Sequence, residues 1–207
     1  MAIVNRALIA VGASIAVLVI GTAGFFALGG QAPGARECPG GLTGADIGGP
    51  FALTSHRGER MTDRDLAGNP SLLYFGYATC PDVCPTDLAD VAAAADIVAE
   101  KTGMNVNPVF VTIDPKRDTV ESLGEYVPYF SDSMIGLTGS QEAIAAAAKA
   151  YRVYFAEQPD PDFPDGYSMN HSAFIYLLDR DAEFVTYFKS ADSPEYIAEG
   201  VACHMGA

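Results

Sequence analysis

The chain has 207 residues, with 26 acidic against 12 basic side chains, a formal net charge of −14 and no Trp. Once the first forty residues are set aside, that length leaves room for one domain with a proper core. The charge argues against a nucleic-acid-binding surface and reads as solvated acidic surface rather than as a docking patch for a basic partner.

No charged side chain lies between Arg6 and Arg36, and Ala7 to Gly30 is apolar or small throughout. About 24 residues at a rise of about 1.5 Å cover more than the roughly 30 Å of a bilayer core, so residues 1–30 read as one transmembrane anchor. The run exceeds the roughly 7 to 15 residues of a usual signal-peptide core, which favours an uncleaved span. Its short Arg6-bearing end belongs in the cytoplasm, placing the remainder outside. Residues 31–46, rich in Gly and Pro, form a tether, and the domain occupies 47–207.

"FALTSHRGERMT" predicts an amino-terminal β-hairpin around Arg57 and Gly58. "SLLYFGY" has the length and continuous apolar character of a buried strand. A helix is expected from a Thr86 cap to a stop at Gly103, then a strand "NPVFVTID" ending at Asp114. Asp118 and Glu121 have the spacing of a capping box, as do Thr138 and Gln141, which open a long alanine-rich helix. "SAFIYLLD" and "EFVTYF" are two further strands about a turn at Asp179 to Asp181, and Ser193 with Pro194 starts a last helix. Strands alternating with helices, closed by a hairpin and a terminal helix, predict a three-layer α/β sandwich of thioredoxin-like order with an amino-terminal hairpin extension.

Cys80 and Cys84 lie in the loop between the first long strand and its helix, where the helix amino terminus favours negative charge and makes thiolates of both. Residues four apart on a helix have Cβ atoms about 5 to 6 Å apart, whereas a disulfide wants them near 3.8 Å, so a bond between these two needs a distorted turn. Two such thiolates suit a shared soft metal ion: copper(I), zinc or an iron–sulfur cluster. Of the three histidines, His56 in a polar turn reads as an ordinary surface residue and His204 as an exposed tail residue. His171 closes an irregular Pro- and Asp-rich loop directly before a strand that the expected order brings beside the cysteines. Asp82, between the cysteines, is placed to tune the site by hydrogen bonding or to serve as ordinary helix-start chemistry.

"IGGPFALTSHRG", "YFGYATCPDVCPTDL", "VFVTIDPKRDT", "IGLTG" and "MNHSAFIYLLD" stand in the order seen in the Sco/SenC family of membrane-anchored copper chaperones, which this chain resembles from about Ile47 to the final helix. The resemblance implies a thioredoxin-like fold with Cys80, Cys84 and His171 as ligands of copper(I) or copper(II). It also implies delivery to the binuclear CuA centre of a cytochrome c oxidase subunit, with a copper donor or thiol reductant as further partner. For an exported, anchored chain the corresponding location is the bacterial inner membrane, with the soluble domain in the periplasm. Such transfer proceeds by ligand exchange and needs no catalytic acid or base.

Cys38 and Cys203 fall outside the family's motifs. They read as a disulfide tying the tether to the last helix, or, with His204 and Met205 in "CHM", as an accessory soft-metal site. A thiol:disulfide oxidoreductase acting on a copper-site or other exported protein is the alternative function. A peroxidase is disfavoured, because its Pro-x-x-x-Thr-x-x-Cys pattern puts Thr where Tyr77 precedes Cys80 and Pro81 precedes Cys84.

Overall fold

The strand at the centre of the fold, β3 (Ser71–Gly76), is buried at every position. A strand with partners on both edges and cover on both faces needs a continuous apolar run rather than alternation, and "LLYFG" after Ser71 supplies it. The computed structural model describes residues 38–207; the anchor expected over 1–30 and the tether before Cys38 lie outside the described residues. Among the described residues no helix is long and apolar enough to cross a membrane.

The amino-terminal hairpin is β1 (Ala52–Ser55) and β2 (Arg60–Thr62), turning through Gly58 at φ +81°. After β3 come α1 (Val83–Thr102), β4 (Asn107–Thr112), α2 (Val120–Tyr126), β5 (Ile135–Thr138) and α3 (Gln141–Ala150). The chain continues through β6 (Phe155–Pro159), β7 (Tyr167–His171), β8 (Phe174–Leu178), β9 (Phe184–Lys189) and α4 (Pro194–Met205). Among the described residues a seven-stranded sheet runs in the order β2-β1-β5-β4-β3-β8-β9, with β3, β4 and β5 parallel and the other pairings antiparallel, while β6 and β7 pair only with each other.

Ring contacts identify the two faces of the sheet. Tyr74 and Phe110 are register partners on one face, where Phe110 meets Tyr126 of α2 and α1 packs beside α4. Phe75 points the other way, against Tyr151 at the end of α3 and Tyr176 of β8. Helices therefore cover both faces of a mixed sheet.

Several local expectations change. α1 starts at Val83, not at Thr86, and its N-cap Asp82 makes no side-chain cap bond. The Cys80 sulfur takes that place, accepting from the Cys84 amide at 3.4 Å, so a thiol replaces the usual hydroxyl or carboxylate cap. The cap of α2 is Thr119, which accepts from the Ser122 amide, because the Asp118 carboxylate turns into the interior. Thr138 belongs to β5, paired alongside β4, and Ser140 caps α3 instead. That helix ends early because Tyr151 is drawn into the core and Arg152 takes a left-handed φ of 57°. The supposed irregular loop before His171 is the β6–β7 hairpin, closed by a turn in which Asp165 and Gly166 both have positive φ.

Candidate metal centre

The site sits where the carboxyl end of β3 meets the amino end of α1. Cys80 is 8% exposed and Cys84 fully buried, and both are free thiols. His171, the last residue of β7, brings Nε2 to 3.5 Å from the Cys84 sulfur. Its Nδ1 lies 3.0 Å from the backbone carbonyl of Ser172, which can only accept. In the neutral ring Nδ1–H therefore donates there and leaves the Nε2 lone pair facing the sulfurs. The imidazole is further fixed edge-on by the rings of Tyr74 and Tyr77, at centroid distances of 6.2 and 5.9 Å.

The two thiols do not share one charge state, although their common place at a helix start predicts thiolates at both. The Cys84 thiol donates to Cys80 and, against the cost of burial, holds Cys80 down to about 3, with help from the amides of Asp82 and Cys84. Serving as that donor, and being buried, pushes Cys84 well above the ordinary thiol range. The copper-free pair thus carries one proton and one negative charge at neutral pH. Asp82 contributes its backbone amide, while its side chain is exposed. Among the described residues no group of three or more His, Cys, Asp or Glu is arranged as a ready-made metal cage.

Gly76 is required here by close approach, since a Cβ would stand 2.9 Å from the Cys84 sulfur and 2.7 Å from the Tyr74 ring. Beyond it, Asp118 pins the cysteine loop to β4. Its carboxylate, 1% exposed, accepts from the Ala78 amide at 2.9 Å and the Thr112 hydroxyl at 2.6 Å. Burial raises its pKa to about 6 despite those bonds. On the far side of Cys84, buried Asp87 accepts from the Ser190 hydroxyl at 2.8 Å, and burial raises its pKa too. Neither Asp87 nor Gly76 carries a sequence signal of this role, and from sequence Asp118 reads only as a helix cap. "VFVTIDPKRDT" was the available signal for Asp118, since its two carboxylates flank the end of a core strand.

The remaining histidines and cysteines are elsewhere. His56 is not an ordinary surface residue: its Nδ1 accepts from the Gly136 amide at 3.1 Å, joining the hairpin turn to β5, and burial lowers its pKa. His204 is half-buried and donates from Nε2 to the Pro39 carbonyl at 3.1 Å. Cys203 is bonded to Cys38, so the "CHM" triplet offers no free thiolate for an accessory metal.

The chain has clear relatives among known proteins. The chain is 45% identical over 167 residues to Protein SenC of Rhodobacter capsulatus, covering 81% of this chain and 74% of that one. It is 42% identical over 160 residues to the mitochondrial SCO1 homolog of Homo sapiens, covering 77% of this chain but only 53% of the human protein, so the match spans about half of that relative. The crystal structure of Arabidopsis thaliana ScoI with copper bound superposes with a TM-score of 0.73 at 40% identity, over 76% of this chain and 97% of that one. Residues 40–206 match the family model described as SCO1/SenC, and the chain belongs to that family.

Proposed function

We propose that the protein binds copper as cargo through Cys80, Cys84 and His171 and passes it by ligand exchange to the CuA-bearing subunit of cytochrome c oxidase. The observation that carries this reading is the meeting of His171 Nε2 with the Cys84 sulfur at 3.5 Å, beside a second sulfur already held as thiolate. The copper in the Arabidopsis relative supports the choice of metal. Two thiolates and an imidazole are soft and borderline donors that favour copper over hard cations. On binding, Cys80 offers its sulfur without losing a proton, Cys84 gives one up, and His171 closes in with its free lone pair. Copper(I) is held mainly by the two sulfurs, and copper(II) depends more on the imidazole. The protein acts from the bacterial inner membrane through residues 1–30, with residues 47–207 in the periplasm.

Anaerobic titration of the full chain tests this. Cys80→Ser and Cys84→Ser should each abolish stoichiometric copper(I) binding, and His171→Ala should weaken copper(II) far more than copper(I). Copper binding unchanged in all three variants would overturn the proposal. A second reading, reduction of a client disulfide, is favoured by the low pKa of Cys80, the property of an attacking thiol. Slow exchange of the metal-free protein with a disulfide-bonded CuA-site peptide would remove it.

A further inference from the structure

Arg117 stands in the segment that follows β4, and its side chain is only 9% exposed. A guanidinium is costly to bury unless its N–H groups find acceptors, so its partners indicate what it holds together. Nε donates to the Asp114 carboxylate, itself 2% exposed, at 2.5 Å. Nη1 donates to the backbone carbonyl of Tyr167 at 3.1 Å. Cζ lies over the Tyr167 ring, 3.9 Å from its centroid, and 5.6 and 5.8 Å from the ring centroids of Phe163 and Tyr77. The Tyr167 hydroxyl closes the circuit by donating to the same Asp114 carboxylate, at 3.1 and 3.2 Å from its two oxygens.

These partners belong to both halves of the metal centre. Tyr167 opens β7, the strand that ends in His171, and Phe163 precedes the turn that joins β6 to β7. Tyr77 opens the cysteine loop, and its ring meets the His171 imidazole edge-on. The β6–β7 hairpin pairs with no strand of the large sheet, so side chains rather than ladder hydrogen bonds must seat it. An ion pair between Lys116 and Glu157 also reaches the hairpin, but both side chains are about half exposed, a setting in which such pairs contribute little. Several of the buried contacts converge on Arg117.

We propose that Arg117, fixed by Asp114, is a positioning residue that clamps the β6–β7 hairpin over the cysteine loop and thereby sets how closely His171 approaches the two sulfurs. This rests on the reading of Cys80, Cys84 and His171 as copper ligands. The clamp needs a planar fork that addresses a carboxylate and a carbonyl together while stacking on a ring, which a lysine ammonium does not provide. Copper(II), the state that relies on the imidazole, is sensitive to the clamp, whereas copper(I) on two sulfurs is not.

The test uses the full chain with copper(II) and copper(I) ions as probes. Arg117→Lys should lower copper(II) affinity by about 10- to 100-fold, as removal of a ligand's supporting partner does. The thiolate-to-copper(II) charge-transfer band should shift, and copper(I) affinity should stay within about twofold. Tyr167→Phe keeps the ring and loses only the hydroxyl, so it should show a smaller loss in the same direction, and it carries the comparison if Arg117→Lys fails to accumulate. In the metal-free protein, amides of β6 and β7 should exchange faster in Arg117→Lys while those of β3 and β4 keep their protection. Copper(II) affinity and spectrum unchanged in the Arg117 and Tyr167 variants, with His171→Ala impaired, overturns the clamp alone. Unchanged copper(II) binding in His171→Ala overturns the clamp together with the ligand reading. Equal acceleration of exchange throughout the sheet assigns Arg117 to global stability and overturns the clamp.

Discussion

Two cysteine pairs occupy this domain in opposite chemical states. Cys38 and Cys203 are 165 positions apart and bonded, with Cα atoms 5.5 Å apart, while Cys80 and Cys84 are four apart and free. The outer pair is brought together by packing: the Gly41 amide donates to the Tyr187 carbonyl at 2.8 Å, and Pro39 accepts from His204. Gly200 lets the strand β9 ring of Phe188 and the Pro39 carbonyl come so close that a Cβ would meet them at 2.5 and 2.9 Å. The inner pair is surrounded instead by donors, namely the Cys84 thiol and two backbone amides, that stabilise the Cys80 sulfur as an anion. What each sulfur faces, rather than its distance along the chain, separates a structural link from a reactive pair.

The largest expected effect breaks the outer pair. Replacing Cys38 and Cys203 by Ser should cost roughly 2–5 kcal/mol of stability, because the bond closes a very long loop of the unfolded chain. Denaturant unfolding measures it, and copper stoichiometry should not change. A variant as stable as the parent would show that packing alone holds the strap.

Next, Gly76→Ala intrudes on the inner pair. The added methyl meets the Cys84 sulfur and the Tyr74 ring, so it should cost about 1–3 kcal/mol as overpacking and weaken copper(I) binding, which titration would detect. Wild-type affinity would mean that Cys84 shifts freely.

Asp118→Ala strips the buried acceptor from the Ala78 amide and the Thr112 hydroxyl. It should cost about 1–3 kcal/mol, and Asp118→Asn less, since one acceptor oxygen survives. Thermal unfolding of both variants beside the parent ranks them, and equal losses would argue that charge rather than acceptance matters.

The smallest perturbation is pH. Cys80 has a folded-state pKa of about 3, far below that of an ordinary thiol, so the thiolate's contribution to stability is fully present above the unfolded thiol pKa. It declines as pH falls through the window between the two values and is lost below about 3. Metal-free protein should therefore be alkylated at Cys80 at pH 5, read by mass spectrometry, while Cys84, whose pKa moves the other way, and the bonded outer pair stay unmodified. Alkylation of Cys80 only near the ordinary thiol pKa would sink the assigned charge split.

Much of the architecture was legible in local pattern. The apolar run of β3, the Gly103 stop of α1 and the Ser193 cap of α4, which accepts from the Tyr196 amide, depend on neighbours within a few positions. The neighbourhood of Cys80, Cys84 and His171 was legible too, through strand order. Where the reading failed, a distant partner outbid a local one. Asp118 had capping-box spacing, yet the Ala78 amide 40 positions away claims its carboxylate. The segment before His171 looked irregular because Pro and Asp interrupt it, yet its two arms pair in register from Phe155 with His171 to Pro159 with Tyr167.

By itself the sequence determined most of the succession of strands and helices, though not β5, β6 and β7, together with the chemistry of the sulfur and imidazole side chains and the family. Periodicity, caps and donor type are properties of residues and their immediate neighbours. Only the tertiary structure decided which sulfur holds the proton, that Asp118 anchors the cysteine loop, and that Arg117 grips the hairpin bearing His171. Those outcomes depend on desolvation and on hydrogen-bond partners that meet through space, and no local pattern encodes them.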